Sequence, residues 1–331
     1  MTPFWIRRPF LIVRDLLASR DKPDLNALGR IDDPGRFVWA ILPHAARTFS
    51  ACIALLPTRS ALPAAVAYLY CRMLDTYEDL VPGRGREASL RAFAGRFDTG
   101  TEAGLQPAPA IGESSDLDER DRAHLLLVRR ATLVDQVFLS FDEPTRRVVR
   151  DLVVDMAHGM CWSSELFARD GGVLLDEAGL TRYCRNVLGN PVVFSVRLMR
   201  LEHGATPDVT PHELEDAMRV GEMVQLANIT RDVEKDLRRG IAYHPALRAD
   251  LGRDAAHGDG ALAERCRLVR ERLLRMALER APSYGRIIDA LQLPRFSVAR
   301  ASAILMLLFT ERYFRGCARR VGHSGWEGPN S

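Results

Sequence analysis

The sequence predicts an all-α fold, and three observations carry that expectation. Long stretches repeat apolar side chains every three or four residues, the period of one helix face. Their ends are marked by proline, glycine and short polar residues, and no segment has a persuasive strand pattern. The parts other architectures need are also missing: no Gly-rich loop follows a strand, no Gly-Lys-Ser/Thr occurs, and the eight histidines form no His-Glu-x-x-His. At 331 residues and 47% apolar, the chain can bury one large continuous core.

Each element has its own justification. Residues 4–18, FWIRRPFLIVRDLLA, mix large apolar groups with arginines as a short amphipathic helix would, suited either to a membrane surface or to packing on the protein body. A polar turn at Asp32–Pro34 leads to a helix over Phe37–Leu56, stopped by Pro57, and a second over Ser60–Leu80. Residues 99–118, rich in Gly, Pro, Ser and Ala, read as a mobile surface loop. Helices are expected over 119–141 and 143–168, the latter starting after Asp142 with Pro144 close behind. A break at Gly171 and Gly172 precedes a helix through Tyr183 to Leu201, where Pro191 should remove a backbone hydrogen bond and kink the chain. Pro211 opens a helix to Arg238, a polar loop covers 245–260, and helices over 261–291 and 295–320 follow. The apolar run Ala301–Thr310 is too short to span a bilayer. The expected organisation is an N-terminal segment at 1–36, one helical domain at 37–320 and a tail at 321–331.

Charge and cysteine content narrow the function classes. With 46 basic and 43 acidic residues, the net charge of +3 gives no reason to expect a nucleic-acid partner. Only Lys22 and Lys235 are lysines; an arginine-rich chain suits bidentate phosphate contacts, although a GC-rich genome also produces one. Cys52, Cys71, Cys161, Cys184, Cys266 and Cys317 are scattered without a C-x-x-C pair, as in a reducing cytoplasm. Arg7, Arg8 and Arg14 interrupt the N-terminal apolar run, so no signal-peptide layout is present.

Two polar stripes stand out. Gln225, Asn228, Asp232 and Asp236, spaced three, four and four, fall on one narrow face of a helix whose intervening residues Leu226, Ala227, Ile229 and Val233 are apolar. Tyr68, Arg72, Asp75 and Asp79, spaced four, three and four, do the same about 150 residues earlier. Either stripe alone fits a solvated face with arginine partners, Arg72 on Asp75 and Arg231 on Asp232. Two such stripes in apolar helices are harder to explain that way. Facing each other, they would form an oxygen-lined cage for Mg²⁺ bridging a diphosphate.

Asp75-Thr-Tyr-Glu-Asp79 and Gln225-x-x-Asn228-Ile-x-Arg231-Asp232-x-x-x-Asp236 closely resemble the two aspartate-rich motifs of the squalene and phytoene synthase family, the head-to-head isoprenyl diphosphate synthases. Tyr68-x-x-Cys71-Arg72, Tyr183-Cys184, Arg47-Thr-Phe49, Arg238-Arg239-Gly240 and Tyr243-x-Pro245 extend the resemblance over about residues 37–320. It implies an isoprenoid synthase fold around a deep central cavity. It further implies that Asp75, Asp79, Asp232 and Asp236 hold Mg²⁺ or Mn²⁺, that Gln225, Asn228, Arg72 and Arg231 bind diphosphate, and that Tyr68 and Tyr183 lie by the reacting carbons together with Arg72. The implied substrates are prenyl diphosphates, farnesyl diphosphate first. The implied reaction is head-to-head condensation through a cyclopropylcarbinyl diphosphate, with NADPH needed if squalene is the product. Peripheral contact with the inner face of the membrane would accompany such substrates.

Departures from the family pattern bear on the product. Ala46 replaces a common Ser, Leu188 and Val192 are bulkier than the Ala and Gly of V-A-G-x-V-G, and Ile241-Ala-Tyr243-His244-Pro245 matches neither F-W-P nor Y-L-P. Phytoene-type and hydroxysqualene-type products, cyclisation of one prenyl diphosphate, and a non-catalytic assembly role are the alternatives. Retention of all four motif aspartates argues against the last.

Overall fold

The computed structural model describes residues 4–17, 22–46, 48–98, 104–112, 117–174, 176–253 and 260–320. Among them, regular structure is helical apart from one isolated bridge, Val173 with Ala242. In chain order the helices are α1 (Phe4–Leu17), α2 (Leu25–Gly29), α3 (Pro34–Ala46), α4 (Thr48–Ala54), α5 (Thr58–Leu80), α6 (Arg84–Gly95), α7 (Glu119–Arg129), α8 (Ala131–Leu139) and α9 (Glu143–Arg169). Then follow α10 (Glu177–Cys184), α11 (Asn190–Glu202), α12 (Pro211–Arg238), α13 (Gly260–Leu278), α14 (Pro282–Ala290) and α15 (Val298–Arg320). The all-α expectation holds.

The chain forms two compact units. The first comprises residues 1–161, 197–208 and 293–303, the second 162–196, 209–292 and 304–331. In the first, Phe37 and Leu42 of α3, Leu69, Tyr70 and Tyr77 of α5, Phe93 of α6 and Phe138 of α8 are fully buried. Within this aromatic core lies Arg96, 2% exposed, which is tolerable only because its charge is paired. Its Nη2 donates to Asp135 Oδ2 at 2.5 Å, its Nε donates to the Gln106 carbonyl, and the Tyr70 hydroxyl donates to Asp135 Oδ1 at 2.8 Å. Together with the Tyr77 hydroxyl, which donates to the Pro109 carbonyl at 2.6 Å, Arg96 fastens residues 104–112 to the core. The described part of the segment expected to be a mobile loop is thus tied down.

Helix α1 packs on its own unit. Leu11 is buried, Arg8 Nη2 donates to the Leu56 carbonyl at 2.9 Å, and Arg14 Nη2 donates to the Trp39 carbonyl at 2.7 Å. Phe10 and Val13 remain exposed on its outer side.

Several helix boundaries differ from expectation. The span 119–141 breaks at Arg130, whose guanidinium donates to the Gly29 and Ile31 carbonyls. The span 261–291 breaks before Pro282, and α6 was not expected at all. Its arginine-rich sequence hides an apolar face of Leu90, Phe93 and Ala94. The loop from Pro245 opens with a 3₁₀ turn, Pro245–Asp250. Arg47 and the tail 321–331 lie outside the described residues.

In the second unit, α12 is the central helix of an apolar cluster containing Met223, Leu226, Ile229, Val233 and Leu237, with Cys266, Val269 and Leu273 from α13. Its start is set locally. Thr210 accepts from the Glu213 backbone N–H, Glu213 accepts from the Thr210 N–H, and Pro211 occupies the first turn. Between α10 and α11 the chain widens into a π turn, Arg185–Gly189, with the Asn190 N–H reaching the Arg185 carbonyl. Pro191 explains it: lacking an N–H, it offers the Val187 carbonyl no fourth-residue donor. The Asn190 amide turns back to the Asn186 carbonyl at 3.4 Å. This is the disturbance expected from Pro191. Gly221 of α12 lies against the turn so closely that a Cβ there would stand 2.3 Å from the Gly189 nitrogen.

Candidate active site

In the first unit, α5 carries Tyr68, Arg72, Asp75 and Asp79 on one face, as the four, three, four spacing requires. Tyr68, Arg72 and Asp75 are half-buried; Asp79 is exposed. Arg72 is held from three sides: Nε donates to the Ala45 carbonyl at 3.2 Å, Nη2 donates to the Tyr68 hydroxyl at 3.3 Å, and Nη1 pairs with Asp75 Oδ2 at 3.0 Å. Burial works against its charge, but Asp75, Tyr68 and Asp79 outweigh burial and raise its pKa. The Tyr68 ring stacks on Phe49 at 6.2 Å. Burial, reinforced by Asp79, pushes the Asp75 carboxyl above its usual range against the pull of Arg72 and Arg120. Glu78 is pushed up to about 7 by burial and by Asp75 and Asp79. Arg120 and His124, on α7, lie beside this stripe, Arg120 as a cation and His124 with its pKa lowered to about 3 by burial and the neighbouring arginines; sequence spacing did not single them out.

In the second unit, Gln225, Asn228, Asp232 and Asp236 share one face of α12, while Leu226, Ala227, Ile229 and Val233 are buried. Asn228 Nδ2 donates to Gln225 Oε1 at 3.2 Å, so the two amides orient each other. Arg231 forks onto Asp232, Nε to Oδ1 at 2.9 Å and Nη2 to Oδ2 at 2.5 Å. Burial first, then Asp232, pushes Asp236 up to about 6, opposed by Arg239, Lys235 and Arg231.

Tyr183 belongs to an aromatic group in this unit. Its hydroxyl shares a hydrogen bond with the Tyr243 hydroxyl at 3.2 Å, and Phe167 stands edge-on to both rings at 5.9 Å. The backbone places Tyr243 there: the Leu174 N–H donates to the Ala242 carbonyl at 2.9 Å and the Ala242 N–H to the Gly172 carbonyl at 2.8 Å. Only glycine fits at 172, where φ is +87° and a Cβ would lie 2.1 Å from the Gly240 carbonyl oxygen. The π turn two residues past Tyr183 is fastened through Arg185, whose Nε donates to the buried Glu222 of α12 at 2.6 Å; Arg280 pairs with the other oxygen of Glu222. Leu188 and Val192 are both half-buried, and Val192 packs with Val196, Ala217, Val220 and Ile287.

Each arginine therefore covers the first carboxylate of its motif. Among the described residues, the carboxylates of Asp79 and Asp236 pair with no side chain, although the Asp236 carbonyl accepts from the Arg239 and Ile241 N–H groups. No group of three or more His, Cys, Asp or Glu side chains among the described residues could hold a metal by itself. Two hard oxygen donors on a stripe, one of which (Asp75 or Asp236) is raised in pKa mainly by burial and then by its neighbouring aspartate, would suit a cation that keeps most of its shell for water and phosphate, as Mg²⁺ does. The cysteines at 52, 71, 161, 184 and 266 are free thiols, and no described helix is long and apolar enough to cross a membrane.

Known proteins share this arrangement of helices. TcSQS in complex with the ligand BPH1237 superposes with a TM-score of 0.67 at 21% identity, over 89% of this chain and 83% of that one. Squalene synthase HpnC from Alicyclobacillus acidocaldarius gives 0.52 at 15% identity, over 91% and 100%. Among curated proteins, lycopaoctaene synthase of Botryococcus braunii is 27% identical over 210 residues, 62% of this chain; the match spans 43% of that relative's length. These likenesses show the all-α isoprenoid synthase fold. The squalene/phytoene synthase family profile matches residues 42–321, a span that takes in both acidic stripes and Tyr183. With stripes, fold and profile in agreement, this chain belongs to the squalene/phytoene synthase family, whose members are prenyltransferases.

Proposed function

We propose that the protein joins two prenyl diphosphates head to head, with farnesyl diphosphate as substrate, through a cyclopropylcarbinyl diphosphate to a squalene-type product. The observation that carries this reading is the repeated pattern of two carboxylates on a half-buried stripe with an arginine along the first. Mg²⁺ or Mn²⁺, when bound, supplies positive charge to the departing diphosphate. Asp75 and Asp79 would hold it on α5, Asp232 and Asp236 on α12.

The chain's own groups do the rest. Arg72 and Arg231 present forked donors that match phosphate oxygens, and the Gln225–Asn228 pair supplies further amide donors. Ionisation of one substrate leaves an allylic cation and free diphosphate. The double bond of the second substrate attacks that cation, and loss of a proton closes the cyclopropane ring. The faces of Tyr68 and Tyr183 suit a passing cation, and apolar walls keep out the water that would quench it.

The test is incubation of the purified protein with farnesyl or geranylgeranyl diphosphate and Mg²⁺, with and without NADPH. Diphosphate release and a head-to-head lipid are expected, and analysis of that lipid separates squalene-type from phytoene-type and hydroxysqualene-type products. Absence of diphosphate release with every chain length would sink the proposal.

A further inference from the structure

The π turn is seated on the polar face of α12. Met218 and Gly221 precede Gln225 by seven and four residues and so share its side of the helix. A Cβ on Gly221 would stand 2.3 Å from the Gly189 nitrogen, and one on Gly189 would stand 2.5 Å from Met218 Sδ. The turn therefore covers the N-terminal continuation of the face that carries Gln225 and Asn228. Its own backbone holds it weakly, because Pro191 removes a donor. Side chains supply the rest. Arg185 Nε donates to Glu222 Oε1 at 2.6 Å and its Nη2 to Glu215 Oε1 at 2.7 Å, so one guanidinium is fixed at two points on α12. Glu222 is buried and is anchored in turn by Arg280, which also donates from Nη1 to the Met276 carbonyl at 2.7 Å. We propose that Arg185 is a positioning residue for the condensation, with Glu222 as its anchor: by fixing the π turn on α12, the pair sets the place of Tyr183, two residues before, relative to Gln225 and Asn228. This rests on the proposed function, in which Tyr183 lies by the reacting carbons.

The Tyr183 ring is thus held at two ends, its hydroxyl by Tyr243 at 3.2 Å and its backbone by the anchored turn. A displaced ring would leave the allylic cation less well shielded, and water would compete with the double bond of the second substrate. Water capture forms a C–O bond, loses one proton and gives the prenyl alcohol. Condensation forms C–C bonds, loses one proton and gives the cyclopropylcarbinyl diphosphate. The ratio of the two products reports where the groups stand, not how much of the protein is folded. Arg185 is the residue to alter, because its side chain is 35% exposed and its removal leaves Glu222 paired with Arg280; removing Glu222 would strand a buried arginine.

The experiment compares full-length R185M, R185K and E215Q with wild type, on farnesyl diphosphate and Mg²⁺. R185M removes both bonds to α12, R185K keeps the charge but not the two-point fork, and E215Q weakens only the outer contact. R185M should raise the ratio of prenyl alcohol to coupled product at least about tenfold, R185K about threefold and E215Q less than about twofold. A wild-type ratio in R185M, with only its melting temperature lowered, would mean a purely structural role and overturn the proposal. An E215Q shift as large as that of R185M would overturn Glu222 as the anchor. Should R185M fail to fold, R185K decides, and a wild-type ratio there overturns the proposal. Hydrogen exchange without substrate reads the same register: amides of residues 183–192 should exchange about tenfold faster in R185M, while those of 223–236 keep their wild-type rates. Unchanged exchange at 183–192 would overturn the proposal whatever the activity. A wild type that releases no diphosphate from any prenyl substrate defeats the proposed function, whereas an active wild type whose product ratio and exchange are indifferent to R185M defeats only this inference.

Discussion

The stripes on α5 and α12 have the same carboxylate spacing but differ in how their arginines are held. Arg72 is braced by a backbone carbonyl, a phenol and a carboxylate, and its side chain is 17% exposed. Arg231 forks onto the adjacent Asp232 and is 40% exposed. The α5 stripe has a third carboxylate, Glu78, and Arg120 of α7 beside it; the α12 stripe has paired amides and sits on the helix that packs against the π turn. One spacing in the sequence thus yields a stripe with a pre-set cation on α5 and one on α12 whose arginine is anchored to its own carboxylate. The contrast teaches that the same helical spacing can leave one arginine braced by three groups and another forked onto its adjacent carboxylate.

The largest expected effect breaks both stripes alike. D75N and D232N should each lower turnover by at least about a hundredfold, as loss of a metal ligand does, with unchanged far-ultraviolet helicity. Retained activity in either variant would remove that stripe from the site. Next, G221A should cost roughly 1–3 kcal/mol in urea unfolding, because a methyl group there meets the π-turn backbone. Its counterpart G95A, at the end of α6 where nothing lies within 4 Å, should be neutral or mildly stabilising, and equal losses would refute the close-packing argument.

A smaller effect sharpens the arginine comparison. Lysine keeps charge but not the fork, so R72K should raise KM by about tenfold and R231K by clearly less. A larger change in R231K would mean that the bracing of Arg72 does not matter to binding. The last prediction concerns pH. His124 is lowered in the folded chain to about 3 from an ordinary 6.5, so the unfolded chain takes up a proton first as pH falls. Any stability tied to the neutral imidazole is complete above pH 6.5 and is lost progressively on acidification toward 3. Thermal melting across that range should fall less steeply in H124N than in wild type; identical slopes would mean His124 does not titrate as described.

Both stripes were legible from residue spacing because helix period is local: i+3 and i+4 neighbours must share a face whatever surrounds them. The helix start at Pro211 and the break at Pro191 were legible for the same reason. The division at Pro282 carried a local signal too, a proline at a first helical turn, within a span read as one helix. Arg120 and His124 gave no such signal. Their relation to Arg72 depends on α7 packing beside α5, and no period in the chain encodes it. The break at Arg130 is similar, since its partners Gly29 and Ile31 lie about a hundred residues away.

What the sequence determined by itself was the helical class, the two acidic stripes and the family they resemble, because each depends on residue type at short separation. What only tertiary structure decided was how each stripe is supported. It chose which carbonyl braces Arg72, which phenol meets Tyr183, and which glycines let α12 approach the π turn. The physical reason is that buried donors and charges must find partners wherever the folded chain brings them. Those partners are selected by packing between distant helices, not by their neighbours in sequence.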